Sequence, residues 1–176
     1  MEEIRLMRPS MKYGEDIMQL RKELMETNDN DSFAGCGSLK QCSTMEEWLH
    51  VLAEKENSDT CRAGSVTSNT YIAVRISDNK TVGIIDLRHH INHPILGLWG
   101  GHMGYSIRPS ERNKGYAKEM LRQNLLKCKE RGMDKVMITC SPENLASEKT
   151  IIANGGEFEK EVYVDGEYIK RYWITL

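Results

Sequence analysis

The chain has 176 residues, enough for one domain that buries roughly 70% of the surface its unfolded form exposes. Its composition, 39% hydrophobic with 14 Gly and 4 Pro, excludes low-complexity, fibrous and wholly disordered architectures. With 24 Lys+Arg against 26 Asp+Glu the formal net charge is -2, and no long single-sign block exists, so no global field favours nucleic acid as a partner.

The start, Met1-Glu2-Glu3-Ile4-Arg5, lacks the basic and apolar regions of a signal peptide, and no stretch approaches the roughly 20 apolar residues that cross a bilayer. A cytoplasmic protein without a membrane partner is expected. Cys36, Cys42, Cys61, Cys128 and Cys140 are odd in number and scattered without C-x-x-C spacing. That predicts reduced thiols, buried only at the two that fall in periodic segments, Cys128 and Cys140.

Ile4 and Leu6 alternate with Arg5 and Met7 before Pro9, which predicts a short first strand. Ile17, Leu20, Leu24 and Met25 recur at helical spacing and predict a helix over 13–28. Residues 29–43 have turn composition. Thr44 and Glu47 then stand at capping-box spacing ahead of Trp48, Leu49 and Leu52, which predicts a second helix. After a polar stretch at 57–69, segments 71–76 and 81–88 read as a hairpin around Ser77-Asp78-Asn79-Lys80. A loop carrying His89, His90 and His93 leads to a third strand at 101–107, and the short links predict an antiparallel meander. A helix follows over 115–131, with Ala117, Leu121, Leu125 and Cys128 on one face and Gly132 as its cap. The remainder reads as a strand through Val136, Ile138 and Cys140, a short helix over 144–153, and strands at 157–164 and 167–175. One α+β domain over residues 1–176 is expected. Met7, Met18, Met25 and Met120 are expected to fill the core.

The segment from Ser106 to Ala117 carries the chemistry, because it joins a predicted strand to a predicted helix through a basic turn that contains Gly115. A helix N-terminus presents unpaired N–H groups and a partial positive charge, and a glycine there lets a phosphate approach the backbone. Arg108, Arg112 and Lys114 cluster around the turn, which makes it an anion site suited to a pyrophosphate.

The fragment Arg112-x-x-Gly115-x-Ala117 resembles the R/Q-x-x-G-x-G/A pattern of the GNAT acetyltransferase superfamily. Asn144, Ser147 and Gly155 stand at the intervals of that family's N-x-x-A/S…G pattern. More narrowly, Leu87-Arg88-His89, Gly101-His102-Met103-Gly104-Tyr105 and the run from Ile107 to Arg112 resemble a bacterial subgroup of predicted acetyltransferases. The resemblance implies a central mixed, mostly antiparallel twisted sheet flanked by helices. It implies acetyl-CoA as cosubstrate, no metal, and cofactor contacts from Ile107, Arg112, Asn113, Lys114, Gly115, Tyr116, Ala117 and Asn144. The implied reaction moves acetyl to a primary amine of a small molecule, a peptide or a protein N-terminus by direct attack in a ternary complex. Homodimers occur among similar proteins. The alternative is a module that binds acyl-CoA without turnover.

Many family members place a proton-donating Tyr seven residues after the Asn of the second helix, and here that position is Ile151. Ser147 is the candidate partner for the departing sulfur, with a local backbone role as its alternative. For the base, His102, Asp86 and Glu143 fall near the strand ends that border the thioester. His102 stands out because imidazole titrates near pH 6.5, although a histidine satisfied by a loop carbonyl has the same signature. Asp86 reads equally as a strand-edge charge and Glu143 as a helix cap. His89, His90 and His93 lack the geometry and companions of a metal site. Of the three tryptophans, only Trp99 lies in a loop near these strands.

Overall fold

The computed structural model describes residues 1–27 and 32–176, so Asn28 and residues 29–31 of the expected loop lie outside the described residues. In chain order the elements are β1 (Ile4–Met7), α1 (Gly14–Met25), α2 (Met45–Glu56), β2 (Ser68–Arg75), β3 (Thr81–Arg88), β4 (Tyr105–Ile107), α3 (Tyr116–Glu130), β5 (Lys135–Cys140), α4 (Leu145–Ile152), β6 (Glu157–Val164) and β7 (Glu167–Thr175). The strands form two antiparallel sheets, ordered β1-β2-β3-β4 and β5-β7-β6. The meander expected for the first sheet is therefore present.

Residues on the two faces of the first sheet sort by alternation. Ile85, Leu87 and Val82 pack with Met120, Leu121 and Cys128 of α3, whereas Ile84, Ile72 and Val74 pack with Ile17, Leu20 and Leu24 of α1 and with Trp48 and Leu52 of α2. Val82 departs from the parity of Ile85 because the register shifts between Ala73 and Val74, which leaves Val82 as the extra residue of a bulge.

α2 starts as its sequence dictates. Thr44 Oγ1 accepts from Glu47 N–H at 3.2 Å, and Glu47 Oε2 accepts from Thr44 N–H at 3.3 Å. The segment ahead of it, residues 32–43, is not a solvated loop. Ser106 Oγ donates to the Ala34 carbonyl at 2.8 Å, and a Cβ on Gly35 would sit 1.9 Å from the Gly104 carbonyl oxygen. Only glycine, with φ of +71° at this position, permits that approach. Cys36 and Cys42 are consequently buried, against the expectation that only Cys128 and Cys140 would be. Turn composition carries no sign of burial, because here it results from close backbone contact rather than from an apolar stripe. Met7 and Met25 also depart from expectation. They are exposed at the last residues of β1 and α1, whereas Met120 is fully buried.

β4 is shorter than the strand expected over 101–107. Asp86 Oδ1 takes the Gly104 N–H at 2.6 Å, displacing a ladder bond, and Gly101 adopts φ of +68°. Asp86 N–H nevertheless still donates to Gly104 O and Arg88 N–H to His102 O. No helix among the described residues is long and apolar enough to cross a membrane.

Candidate active site

β4 and β5 are facing edges of the two sheets. A reciprocal pair fastens them: His102 N–H donates to Met137 O at 2.8 Å, and Met137 N–H donates to His102 Nδ1 at 2.8 Å. Past this point no ladder joins the strands among the described residues, and a cleft opens between them. The cavity there measures about 840 Å³ and is lined by β4, the turn 111–117, the end of β5 and α4, with Trp99 and Leu96 at one lip. That volume lies within the range of small-molecule and cofactor sites.

The edge of β4 is built to bond an extended ligand. Gly104 O and Arg108 N–H face β3, where they pair with Asp86 and Val82. Strand alternation therefore turns the amide groups of Tyr105 and Ile107 toward the open cleft.

The turn before α3 is a second ligand surface. Asn113 has φ of +61° and Gly115 φ of +85°, while Arg112 has φ of -66° and Lys114 is not among the positive-φ residues. Residues alternating in hand point successive N–H groups to one side, the geometry of an anion nest. No side chain caps α3, so its first-turn N–H groups remain available to the same anion.

Of the expected cofactor residues, Ile107, Arg112, Asn113, Gly115, Tyr116, Ala117 and Asn144 line the cavity. Lys114 is not in that lining; its ammonium bonds Glu111 at 2.9 Å. The expected basic cluster also resolves differently. Arg108 is buried at 3% exposure and spends its charge on Asp16 at 2.6 Å and Glu23 at 2.7 Å, tying α1 to the turn. The pairing overcomes the desolvation of the Glu23 carboxyl and lowers its pKa. The cations that line the cavity from α3 and α4 are Lys118 and Lys149. Their helical positions hold no sequence signal beyond falling one turn inside a helix start. Glu111 lines the cavity too, and its carboxyl is driven down to about 2 by Lys114, Lys80 and Arg75, against the opposing pull of burial. These residues fit a pyrophosphate-bearing cosubstrate.

His102 does not line the cavity. Burial pushes its imidazole down to about 4, and Met137 N–H occupies the lone pair of Nδ1. A neutral imidazole has one such lone pair, so proton acceptance would cost the bond that joins the sheets. Asp86 is equally committed, to Gly104 N–H at 2.6 Å and to Arg88 at 3.2 Å. Glu143 is exposed and outside the lining. His89 bonds Thr67 and Asn69, and His93 bonds the Gly64 carbonyl. No group of three or more His, Cys, Asp or Glu suited to a metal ion occurs among the described residues.

Ser147 does line the cavity, and Asn144 Oδ1 accepts its N–H at 3.0 Å as the cap of α4. The residue missed by sequence reasoning is Tyr105. Its Oη lies 2.8 Å from Ser147 Oγ across the cleft. Burial raises the phenol's pKa, more than the Ser147 bond lowers it, so the phenol stays protonated. The signal was present only as a tyrosine at an outward-alternating position of β4, and nothing local placed it opposite α4.

A splayed pair of sheets with an edge strand, an anion nest and a helix start around one cleft defines an acyl-CoA-dependent transferase fold. The family model for the acetyltransferase (GNAT) domain matches residues 15–157, and the chain belongs to that family. The domain is an acetyltransferase domain, of the family that takes acetyl from acetyl-CoA. Among solved structures, the chain is similar to the microcin C7 self-immunity acetyltransferase MccE in complex with acetyl-CoA and AMP (TM-score 0.67, 15% identity, covering 99% of this chain and 93% of that one). It is similar to the ribosomal L7/L12 alpha-N-protein acetyltransferase RimL in complex with coenzyme A (0.66, 16%, 98% and 94%). A GNAT-family acetyltransferase from Bacillus anthracis is also similar (0.62, 21%, 99% and 96%). No curated protein matches the sequence.

Proposed function

We propose that the protein moves acetyl from acetyl-CoA to a primary amine, of a small molecule or a protein N-terminus, by direct attack within a ternary complex. The observation that carries this reading is the Tyr105–Ser147 pair beside the cleft edge of β4, where a departing thiolate would need a proton. Ile107 and Tyr105 amides would hold the pantetheine chain, with one N–H polarising the thioester carbonyl. The nest of Arg112 to Gly115 and the start of α3 would hold the pyrophosphate, aided by Lys118 and Lys149. As the C–N bond forms and the C–S bond breaks, Ser147 Oγ would pass a proton to sulfur and take one from Tyr105, whose phenolate would recover a proton from the water that carries the amine's protons away. An alkyl amine near pKa 10.4 is mostly charged at neutral pH, and its proton would leave through water, since His102 and Asp86 are both engaged. Purified protein offered acetyl-CoA and a panel of amines is expected to release free thiol in step with acetylated amine. Failure to bind acetyl-CoA would overturn the reading.

The engagement of both base candidates supports a second reading, an acyl-CoA-binding module without turnover. Tight acetyl-CoA binding with no transfer to any amine, peptide N-termini included, would favour it.

A further inference from the structure

The end of the cleft away from the pyrophosphate turn is walled by Leu96 and Trp99 of the lip, by Met103 and by Ile169 of β7. The lip's backbone is already engaged, because every carbonyl from Leu96 to Gly101 accepts a hydrogen bond within the protein. Gly101 N–H donates to Leu96 O at 2.8 Å, and Thr139 Oγ1 donates to Trp99 O at 2.7 Å. Arg171 Nη1 donates to Gly97 O at 3.3 Å and to Leu98 O at 2.9 Å, while Arg88 Nη1 donates to Gly100 O at 2.7 Å and to Gly101 O at 3.0 Å. Both cations are themselves matched, Arg171 by Glu159 at 2.8 Å and Arg88 by Asp86 at 3.2 Å. Side chains from β3, β5 and β7 thus fix the lip before any ligand arrives. What it brings to the cleft is the half-buried side chains of Leu96 and Trp99. Ile169 stands across from them. It lies two residues before Arg171 on β7 and so on the same sheet face, the face from which Arg171 reaches the lip. Glu167, two residues further back at the exposed start of the strand, also lines the cleft, and its carboxylate draws an approaching ammonium.

We propose that the acceptor amine carries an apolar group, a branched alkyl chain or an aromatic ring, which packs between Leu96 and Trp99 on one side and Ile169 on the other while the amine lies at Gly104. This rests on the acetyl-transfer reading above and narrows its acceptor. An apolar group gains by leaving water for this wall. A charged group would give up hydration that the engaged carbonyls and paired arginines do not replace, which opposes a polyamine or an acidic side chain at this position.

The test is initial-rate acetylation by the full chain at saturating acetyl-CoA, with acceptors graded only in the group beside the amine. Ethylamine, isopentylamine and phenethylamine form one series, peptides beginning with Leu or Phe against Ser or Asp form another, and spermidine is the cationic comparison. In at least one series kcat/KM is expected to rise with apolar size, about fourfold per buried methylene and about tenfold or more from end to end. Trp99→Ala and Leu96→Ala should flatten the rise through KM, and Trp99→Phe should keep most of it. Ile169→Glu, on the opposite wall, should lower transfer to the apolar amines and raise it to spermidine. The acetyl-CoA Kd should change less than twofold in all four. A flat or falling series, or spermidine as the best acceptor of the wild type, overturns this inference and leaves the acetyl-transfer reading intact. A rise that survives the Trp99, Leu96 and Ile169 substitutions overturns it as well. Absence of transfer to every amine overturns both.

Discussion

Tyr105 Oη and Ser147 Oγ stand 2.8 Å apart, one on the edge strand β4 and the other on the first turn of α4, and both residues line the cleft between the sheets. The tyrosine that many family members carry seven residues after the capping asparagine is replaced by Ile151, which is fully buried in the core. Here a phenol reaches the same helix from the opposite wall. Tyr105→Phe is expected to lower kcat about 10²-fold, the usual scale for losing a positioned proton donor, with little change in acetyl-CoA affinity. Ser147→Ala should do the same. The double variant should lose no more than the worse single one if the two act as one relay. Additive losses in steady-state kinetics would separate them.

Gly115 tests the nest. Its φ of +85° strains any L residue, and a Cβ there meets only the Met1 sulfur at 3.4 Å, so space within the protein is not the constraint. Gly115→Ala should cost about 1 kcal/mol of stability from the left-handed backbone. Gly115→Val should in addition weaken CoA binding about tenfold or more by blocking phosphate approach. Calorimetric titration with CoA beside a thermal melt checks both, and unchanged affinity would remove the phosphates from this turn.

His102 is expected to act on stability rather than on turnover. Its pKa is about 4 in the fold against an ordinary 6.5, so between these values the unfolded chain binds more protons and stability falls as the pH falls. The loss across the window is about 2 kcal/mol, after a discount for solvent screening. His102→Gln should flatten the dependence of Tm on pH between 4 and 6.5 and lower Tm at pH 7, because Met137 N–H loses its acceptor. Its pH–rate profile should match that of the wild type. A profile that loses its acidic limb would make His102 the base.

Arg108 and Arg112 lie four residues apart, one buried against α1 and the other at the cavity lining. Arg108→Met leaves Asp16 and Glu23 facing each other without their shared cation, at a cost of about 3–5 kcal/mol in unfolding free energy, while intrinsic CoA affinity at a temperature where the variant is folded should change little. Arg112→Ala, at the cavity lining, should weaken CoA binding.

The strap over β4 offers a structural check. Gly35→Ala would drive a Cβ to 1.9 Å from the Gly104 carbonyl, and no flexible side chain is there to yield. Loss of the folded state, or a strongly lowered Tm with acceptor KM raised more than that for acetyl-CoA, is expected. A normal Tm would show that residues 34–36 do not press on the strand.

The sequence by itself determined the elements whose causes are local. The capping box of Thr44 and Glu47, the left-handed Gly115 before α3, and the helical stripe of Leu121 and Cys128 follow from propensity and periodicity, and so do the last two strands at 157–164 and 167–175. Tertiary structure alone decided which charges and hydroxyls meet. Arg108 and Arg112 look alike along the chain, yet α1 brings two carboxylates to the first, from residues 92 and 85 positions away. Tyr105 and Ser147 are 42 positions apart and meet because one reciprocal hydrogen bond at His102 holds two sheets together at a point and lets their edges diverge beyond it. Periodicity reports which face of an element is buried. It carries no information on which other element supplies the partner, because that depends on contacts whose energy appears only after the intervening chain has folded.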